Sequence, residues 1–327
     1  MLILNRAEVQ GIVDAHRRDI QQIIADTYIS HSKGETSVPH SVFLRFPDMP
    51  KNRIIGLPAY SGGARPVAGI KWISSFPDNI ANGHERASAA IILNSVEDGR
   101  PVALIEGSLI SAHRTAASAA VAASVLNIQT KQSIGIIGCG VINWEILRYL
   151  SLTYSIIFVK LFDIDKDRAI SFATRSQEIN PDLRVEIAEN RADVVRDCQV
   201  VSIATTQSTP DFDPGDLERD KLLLHVSLRD IVPSAIVRHI NVVDDVDHVL
   251  RERTSVDLAS QSAGNSNFIH ASLGGLLSGR ESLPNTRHSG IIFSPFGLGI
   301  LDLQVAHYVS RIAKQRGLGT IIDGFLN

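Results

Sequence analysis

The chain has 327 residues, with 35 acidic and 32 basic side chains and a net charge of −3. That length exceeds one ordinary core and predicts about two domains. The near-neutral balance, with no long single-sign run, excludes a field built for nucleic acid or an anionic membrane.

Two cysteines, Cys139 and Cys198, cannot build a disulfide framework or a four-ligand zinc site. The first residues lack the charged start and apolar run of a signal peptide. No stretch reaches the ~18 uninterrupted apolar residues of a membrane helix. A soluble cytoplasmic enzyme is the expected class, with no nucleic-acid or membrane partner.

Along the chain, Ile12, Ile20, Ile23, Ile24 and Tyr28 recur at helical spacing. They predict one amphipathic helix that ends near Gly34. Short apolar runs follow at 42–44, 54–57, 68–73 and 89–93, each bounded by Pro, Gly or Asn as strands are. This part reads as a mixed α+β unit, with Lys71-Trp72 at a strand end. An Ala-rich segment from Arg114 predicts a closely packed helix. It leads into Ser133-Ile134-Gly135-Ile136-Ile137, an apolar run without alternation that suits a strand buried on both faces.

From there strands and helices alternate. Strands are expected at 133–137, 158–162, 200–204, 222–227 and 241–245. Helices are expected at 142–152, 166–179 and just before Cys198. The class is therefore α/β, a Rossmann-type doubly wound domain beside the α+β domain. After Pro295 a helical pattern returns through Leu301, Val305, Val309 and Ile312, placing the last helix with the first domain. The expected domains are 1–113 with 301–327, and 114–300.

Gly138-Cys139-Gly140-Val141-Ile142-Asn143 falls where a strand turns into a helix. The first Gly permits the turn, and the second admits a pyrophosphate to the backbone. The helix start then offers N–H groups to that anion. Asn143 replaces the usual third Gly or Ala. Asp163 closes the next strand, where a carboxylate accepts from ribose hydroxyls and repels a 2′-phosphate. NAD is the expected cofactor, although Lys166 and Arg168 keep NADP open. Asp163 has a plainer alternative as a helix N-cap, a task that Asp165 can also perform.

Several motifs together resemble the ornithine cyclodeaminase/μ-crystallin family over nearly the whole chain. They are Lys71-Trp72, Gly83-His84-Glu85-Arg86-Ala87-Ser88, Glu106 to Ala117 with its Arg114-Thr115-Ala116-Ala117, Asp244-Asp245 and Gly297-Leu298-Gly299-Ile300-Leu301-Asp302. Leu44-Arg45, Gly69-Ile70-Lys71-Trp72-Ile73 and Glu85-Arg86-Ala87-Ser88 are similar to the family's dehydrogenases of L-2,3-diaminopropionate formation, which serve siderophores of the staphyloferrin B type.

The resemblance implies oxidation of N-(1-amino-1-carboxy-2-ethyl)-glutamate with NAD, to 2-oxoglutarate and diaminopropionate. A cysteine-synthase-like partner enzyme would supply the substrate. It also implies a homodimer through the first, substrate-binding domain. By the same resemblance Lys71 and Asp230 are catalytic, and Arg45 (or His40), Lys71, Arg114 and Phe296 hold substrate. The cofactor set is Arg86, Arg114, Thr115, Gly138, Gly140, Val141, Ile142, Asp163, Thr205, Val226, Ser227 and Pro295. The family's Gly-Gly before the catalytic Asp is Leu228-Arg229 here, and the cyclodeaminase's Pro-Gly-Lys after it is absent. That departure argues against ornithine cyclisation.

Plainer roles exist for each residue. Arg45, Arg86 and Arg114 can be surface ion pairs, although Arg114 is expected at a helix start between apolar stretches. Lys71 can snorkel from a strand end, and Asp230 can cap a turn. Ornithine cyclodeaminase, an alanine- or opine-type dehydrogenase and a non-catalytic nucleotide-binding protein remain as alternatives. Eleven histidines show no ligand spacing, so no metal is expected.

Overall fold

The computed structural model describes residues 1–127, 129, 131–284 and 289–326. The chain divides into two compact units, Met1–Arg114 with Leu298–Asn327, and Thr115–Gly297.

The first unit begins with β1 (Leu2–Leu4), α1 (Arg6–Ala15) and α2 (Arg17–Ser32). Asn5 and Glu8 form a reciprocal capping box at the start of α1, which satisfies two otherwise unpaired N–H groups. The single helix expected here is two. His16 departs from helical backbone between them, and its ring is held by Asp19 and by the Tyr308 hydroxyl, each 2.9 Å away. Apolar spacing continues through such a break, so periodicity did not show it.

Then come β2 (Thr36–Ser37), β3 (Val42–Phe46), β4 (Met49–Ser61), β5 (Val67–Ser75), β6 (Ala87–Asn94) and β7 (Pro101–Glu106). Lys71 sits in the middle of β5, not at a strand end, opposite Leu57 and Ile91.

The helix α3 (Ser108–Leu126) starts six residues before Arg114. Arg114 is therefore in its second turn and not at its start as expected. By length and composition α3 could cross a membrane, but 72% of its apolar window is buried, as in a core helix.

The second unit continues with β8 (Lys131–Ile137), α4 (Val141–Leu150), β9 (Ser155–Phe162), α5 (Lys166–Ser176), β10 (Arg184–Ile187), α6 (Arg191–Asp197), β11 (Val200–Ile203) and β12 (Leu222–His225). It closes with α7 (Pro233–Arg238), β13 (Ile240–Val243), α8 (Val246–Val249), α9 (Ser255–Ala263), β14 (Ile269–Ser272), α10 (Leu273–Leu277) and β15 (Ile291–Ser294). The chain then returns to the first unit as α11 (Gly299–Arg316) and β16 (Thr320–Ile321).

Among the described residues, the first unit holds an eight-stranded sheet of order β16-β1-β7-β6-β5-β4-β2, with β3 on β4. One face of it packs on α11, which also meets α1 and α2. The second unit holds an eight-stranded sheet of order β10-β9-β8-β11-β12-β15-β13-β14. All its pairs are parallel. β11, β12, β13 and β15 are buried at every residue, the pattern of a sheet covered on both faces. The strand order reverses between β8 and β11. Ligands of doubly wound sheets bind at the carboxyl ends beside such a switch point.

Candidate active site

Within the second unit, the β8–α4 turn shows why its glycines are glycines. Gly138 has φ +90°, and a Cβ there would lie 2.5 Å from the Ala204 carbonyl oxygen beyond β11. Gly140 is different. A Cβ there would meet nothing within 4 Å, so its lack of a side chain serves no packing need inside the protein. Gly140 is the N-cap of α4 without any side-chain cap, and Val141 behind it is 59% exposed. The helix start thus keeps its N–H groups available to an anion. This cradle fits a dinucleotide pyrophosphate.

Asn143 occupies the place of the third small residue, and it is fully buried. Its amide donates to the carbonyls of Ile137 (2.9 Å) and Gly138 (2.7 Å), and its oxygen accepts from Ser202 Oγ (2.6 Å). It ties β8, the turn and β11 together. The fingerprint gave no sign of this, since it scores the position only for smallness. Asp163 accepts from the Cys139 amide at 2.7 Å and from the Asp165 amide at 2.9 Å. Asp165, not Asp163, is the N-cap of α5. The Asp163 carboxylate therefore lies against the Gly-rich turn. Burial, reinforced by Asp163, pushes the Cys139 thiol up to about 12, which removes it as a nucleophile at neutral pH.

A second group gathers past β11 and β12. Asp230 is 1% exposed and accepts from the hydroxyls of Thr205 and Ser227. His225 Nε2 lies 3.3 Å from its carboxylate and 3.3 Å from its amide nitrogen. Burial alone would raise the Asp230 pKa, but His225 and the two hydroxyls hold it below the ordinary carboxylate value. It is a fixed, ionised carboxylate. Leu228, which stands in place of the family's glycine, adopts φ +66°, a conformation that costs a non-glycine residue about 1–2 kcal/mol. Its carbonyl accepts from Ser255 N at 2.7 Å.

Val226 and Ser227 both donate backbone N–H to the Ile203 carbonyl, which aligns the two strand ends. Asp244, unassigned by sequence reasoning, accepts from the Phe296 and Gly297 amides at 2.8 and 2.6 Å. It thereby fixes the segment with Pro295, and Phe296 itself lies 6.0 Å from the His248 ring. Asp245, Asp247 and His248 bring potential metal-ligand atoms within 4.8 Å of one another, but the Asp245 carboxylate caps α8 at the His248 amide.

The first unit contributes a different cluster. Lys71 is 1% exposed and Asp302, on α11, is 0% exposed. Lys71 Nζ donates to Asp302 Oδ2 at 2.7 Å and to Ser111 Oγ at 3.2 Å. Arg114 Nε donates to the other Asp302 oxygen at 3.2 Å. Burial pulls the Lys71 pKa down to about 8; Arg114 adds to the fall and Asp302 opposes it. The lysine can thus change protonation near neutral pH.

Arg45 and Arg86 lie toward the far end of the same sheet. Arg45 pairs with Arg53 across β3 and β4, and Arg86 Nε donates to Ser75 Oγ at 3.3 Å. His40 is exposed and precedes β3. Thr115 follows Arg114 on α3 and is the first residue of the second unit; Ile142 is partly buried in the first turn of α4. The structure gathers Lys71 with Arg114, and Asp230 with Thr205 and Ser227. Asp302 was quoted in the sequence only as part of a glycine-rich motif, and nothing local revealed its partners.

A Rossmann-type nucleotide unit, joined in one chain to an α+β unit that buries a Lys–Asp–Arg cluster, defines the class of molecule. The chain belongs to the ornithine cyclodeaminase/mu-crystallin family, whose sequence model matches residues 2–317. It is similar to N-((2S)-2-amino-2-carboxyethyl)-L-glutamate dehydrogenase of Staphylococcus aureus, 29% identical over 99% of this chain and 98% of that protein. In fold it is similar to Delta(1)-pyrroline-2-carboxylate reductase of Thermococcus litoralis, solved in complex with NADH and L-proline. That likeness has a TM-score of 0.92 and 23% identity, covering 98% of this chain and 100% of the other. An archaeal alanine dehydrogenase dimer with bound NAD has a TM-score of 0.89 and 23% identity, with 99% of each chain covered.

Proposed function

We propose that the protein is an NAD-dependent dehydrogenase acting on a secondary amine. Its substrate is N-(1-amino-1-carboxy-2-ethyl)-glutamate, cleaved to 2-oxoglutarate and L-2,3-diaminopropionate for siderophore or peptide natural-product biosynthesis. The observation that carries the reading is the buried Lys71–Asp302–Arg114 cluster. Two cations share one carboxylate, so protonated Lys71 leaves one positive charge uncompensated in a water-poor site. A substrate carboxylate is the natural partner of that charge. The full-length likeness to the staphylococcal dehydrogenase supports the choice of substrate.

Gly138, Gly140 and the open start of α4 would hold the pyrophosphate of NAD, and Asp163 would select it over NADP; the cofactor would supply a hydride acceptor for the glutamate α-carbon. Arg114 holds a substrate carboxylate. Lys71, poised near pH 8, stabilises developing charge and moves a proton. Asp230, ionised and braced by two hydroxyls, takes a proton from the water that adds to the imine carbon. The carbinolamine then collapses to keto acid and free amine.

A cysteine-synthase-like enzyme supplies the substrate in this reading, and the protein works in the cytoplasm as a homodimer. The outer face of the first sheet supports the dimer. Val42, Leu44, Trp72 and Ile92 are all exposed there, on the face opposite Lys71 by strand alternation. The relative solved with NAD is also a dimer.

The test is direct. Purified protein with NAD and the conjugate should yield NADH, 2-oxoglutarate and diaminopropionate in equal amounts. Proline and ammonia from ornithine, with no NADH from the conjugate, would return the protein to the cyclodeaminases. Replacing Asp163 with Ser should narrow the preference for NAD over NADP; a wild-type protein that binds NADP as tightly would remove Asp163 from that role.

A further inference from the structure

The proposed reaction gives Asp230 a task but none to the two polar groups next to it. His225 ends β12 and Ser294 ends β15, neighbouring strands of the second sheet. Both side chains are 0% exposed. The imidazole Nδ1 lies 3.3 Å from Ser294 Oγ, and its Nε2 lies 3.3 Å from Asp230 Oδ2. Ser294, His225 and Asp230 therefore form one polar chain at the carboxyl ends of the central strands.

Nε2 has two claimants. The Asp230 amide is directed at it from 3.3 Å, and the Asp230 carboxylate stands at the same distance. Carrying a hydrogen, Nε2 donates to the carboxylate. Without one, it accepts from the amide and turns a lone pair on an anion. A hydrogen bond to an ionised group is roughly twice as strong as a neutral one, so the carboxylate prevails and the cost falls on the amide. Nδ1 is then an acceptor, and a rotating hydroxyl can donate to it. The bond at one ring nitrogen selects the tautomer at the other. The charged groups close by are engaged elsewhere. Arg229 donates to the Glu252 carbonyl at 2.7 Å. Asp211, whose amide donates to the Asp230 carbonyl at 3.0 Å, pairs with Arg191 at 2.8 Å. His225 is the titratable side chain that acts on the Asp230 carboxylate.

We infer that His225 is a positioning residue of the reaction, that Ser294 holds its imidazole in the Nε2–H tautomer, and that Asp230 Oδ1 is the atom left to take the proton from water. The two carboxylate oxygens are not equivalent. Oδ2 accepts from the Ser227 hydroxyl and faces His225 Nε2. Oδ1 accepts, among the described residues, from the Thr205 hydroxyl only. Each oxygen offers two lone pairs, so Oδ2 is filled and Oδ1 keeps one open. His225 thereby pins the carboxylate from the side away from the open lone pair.

The inference rests on the proposed reaction for the task of Asp230, so one arm of the test needs no turnover. Protein labelled with nitrogen-15 in histidine and saturated with NADH would be read by NMR near neutral pH, with His225 assigned by its loss in His225→Gln. Wild type should carry a hydrogen on Nε2. Asp230→Ala keeps the amide and removes the carboxylate, so the hydrogen should move to Nδ1. The second arm is the pH profile with NAD and the conjugate. Activity needs ionised Asp230, so it is present above that group's pKa and lost as pH falls through it. His225 lowers that pKa, so losing the donor must raise it. In His225→Leu the acid limb of kcat should move to higher pH by about one pH unit, with plateau kcat lowered ~10-fold. His225→Gln keeps a donor and should recover most of the limb. Ser294→Ala should move the limb the same way by less, and it carries the test if His225→Leu does not fold. A bare Nε2 in wild type, or a limb that stays in place when either residue is replaced, overturns the assignment. If the NMR behaves as stated while the conjugate gives no NADH, the positioning chain stands and the reaction is wrong. If His225→Leu oxidises the conjugate with the wild-type limb and kcat, the reaction stands and His225 is a packed core residue.

Discussion

At Asp302 a single carboxylate, 0% exposed, is shared by an ammonium and a guanidinium. Removing one member of a buried charge group costs more than the pair itself contributes, because the remaining charges stay buried. Asp302→Asn should keep the side chain's shape and leave Lys71 beside Arg114 with no anion between them. Asp302 raises the Lys71 pKa, so its loss must lower it. An activity that needs protonated Lys71 falls as pH rises through about 8 in the wild type. In Asp302→Asn that limb should move to lower pH, with kcat/KM reduced roughly 100-fold and NAD affinity unchanged. A limb that stays in place would show that Asp302 does not set the state of the lysine.

Asp230→Asn separates the roles. It should lower kcat by about two to four orders of magnitude while substrate still binds. Arg114→Ala should instead act mainly through substrate capture. Lys71 was legible in the sequence chiefly through the family resemblance of Gly69-Ile70-Lys71-Trp72-Ile73; its place within an apolar run, where a lysine is costly to bury unpaired, added to that. Asp302 was not, since its partner lies 231 positions away and only folding brings α11 against β5.

The β8–α4 element shows what a motif encodes and what it leaves out. The turn glycines were readable from their position between an apolar run and an amphipathic helix. Asn143 looked like a defect in the fingerprint, yet three hydrogen bonds make it a brace. Asn143→Ala would restore the usual small residue and remove its bonds to the Ser202 hydroxyl and the Gly138 carbonyl, while the Ile137 carbonyl keeps its bond from the Ala204 amide. The expected cost is about 1–3 kcal/mol of stability with weaker NAD binding, measured by denaturant unfolding and by titration. A variant as stable as wild type would mean that water replaces the amide.

Other elements explain where sequence reading stops. The break at His16 and the early start of α3 are set by contacts and backbone geometry, not by the spacing of apolar residues. β10 and β14 are four-residue strands, too short for periodicity to separate from loops.

For the whole molecule, the outer sheet face makes the dimer testable. Trp72 is 44% exposed on that face, and Trp72→Glu would place a charge at its centre. Wild type should sediment as a dimer at micromolar concentration and the variant as a monomer. A monomeric wild type would leave that apolar face without its proposed cover.

The reaction can be tested through one atom. Protein incubated with NAD and conjugate deuterated at the glutamate α-carbon should give deuterium in the reduced cofactor and unlabelled 2-oxoglutarate. Absence of deuterium from the cofactor, or no net reduced cofactor while the conjugate is consumed, would contradict hydride loss from that carbon.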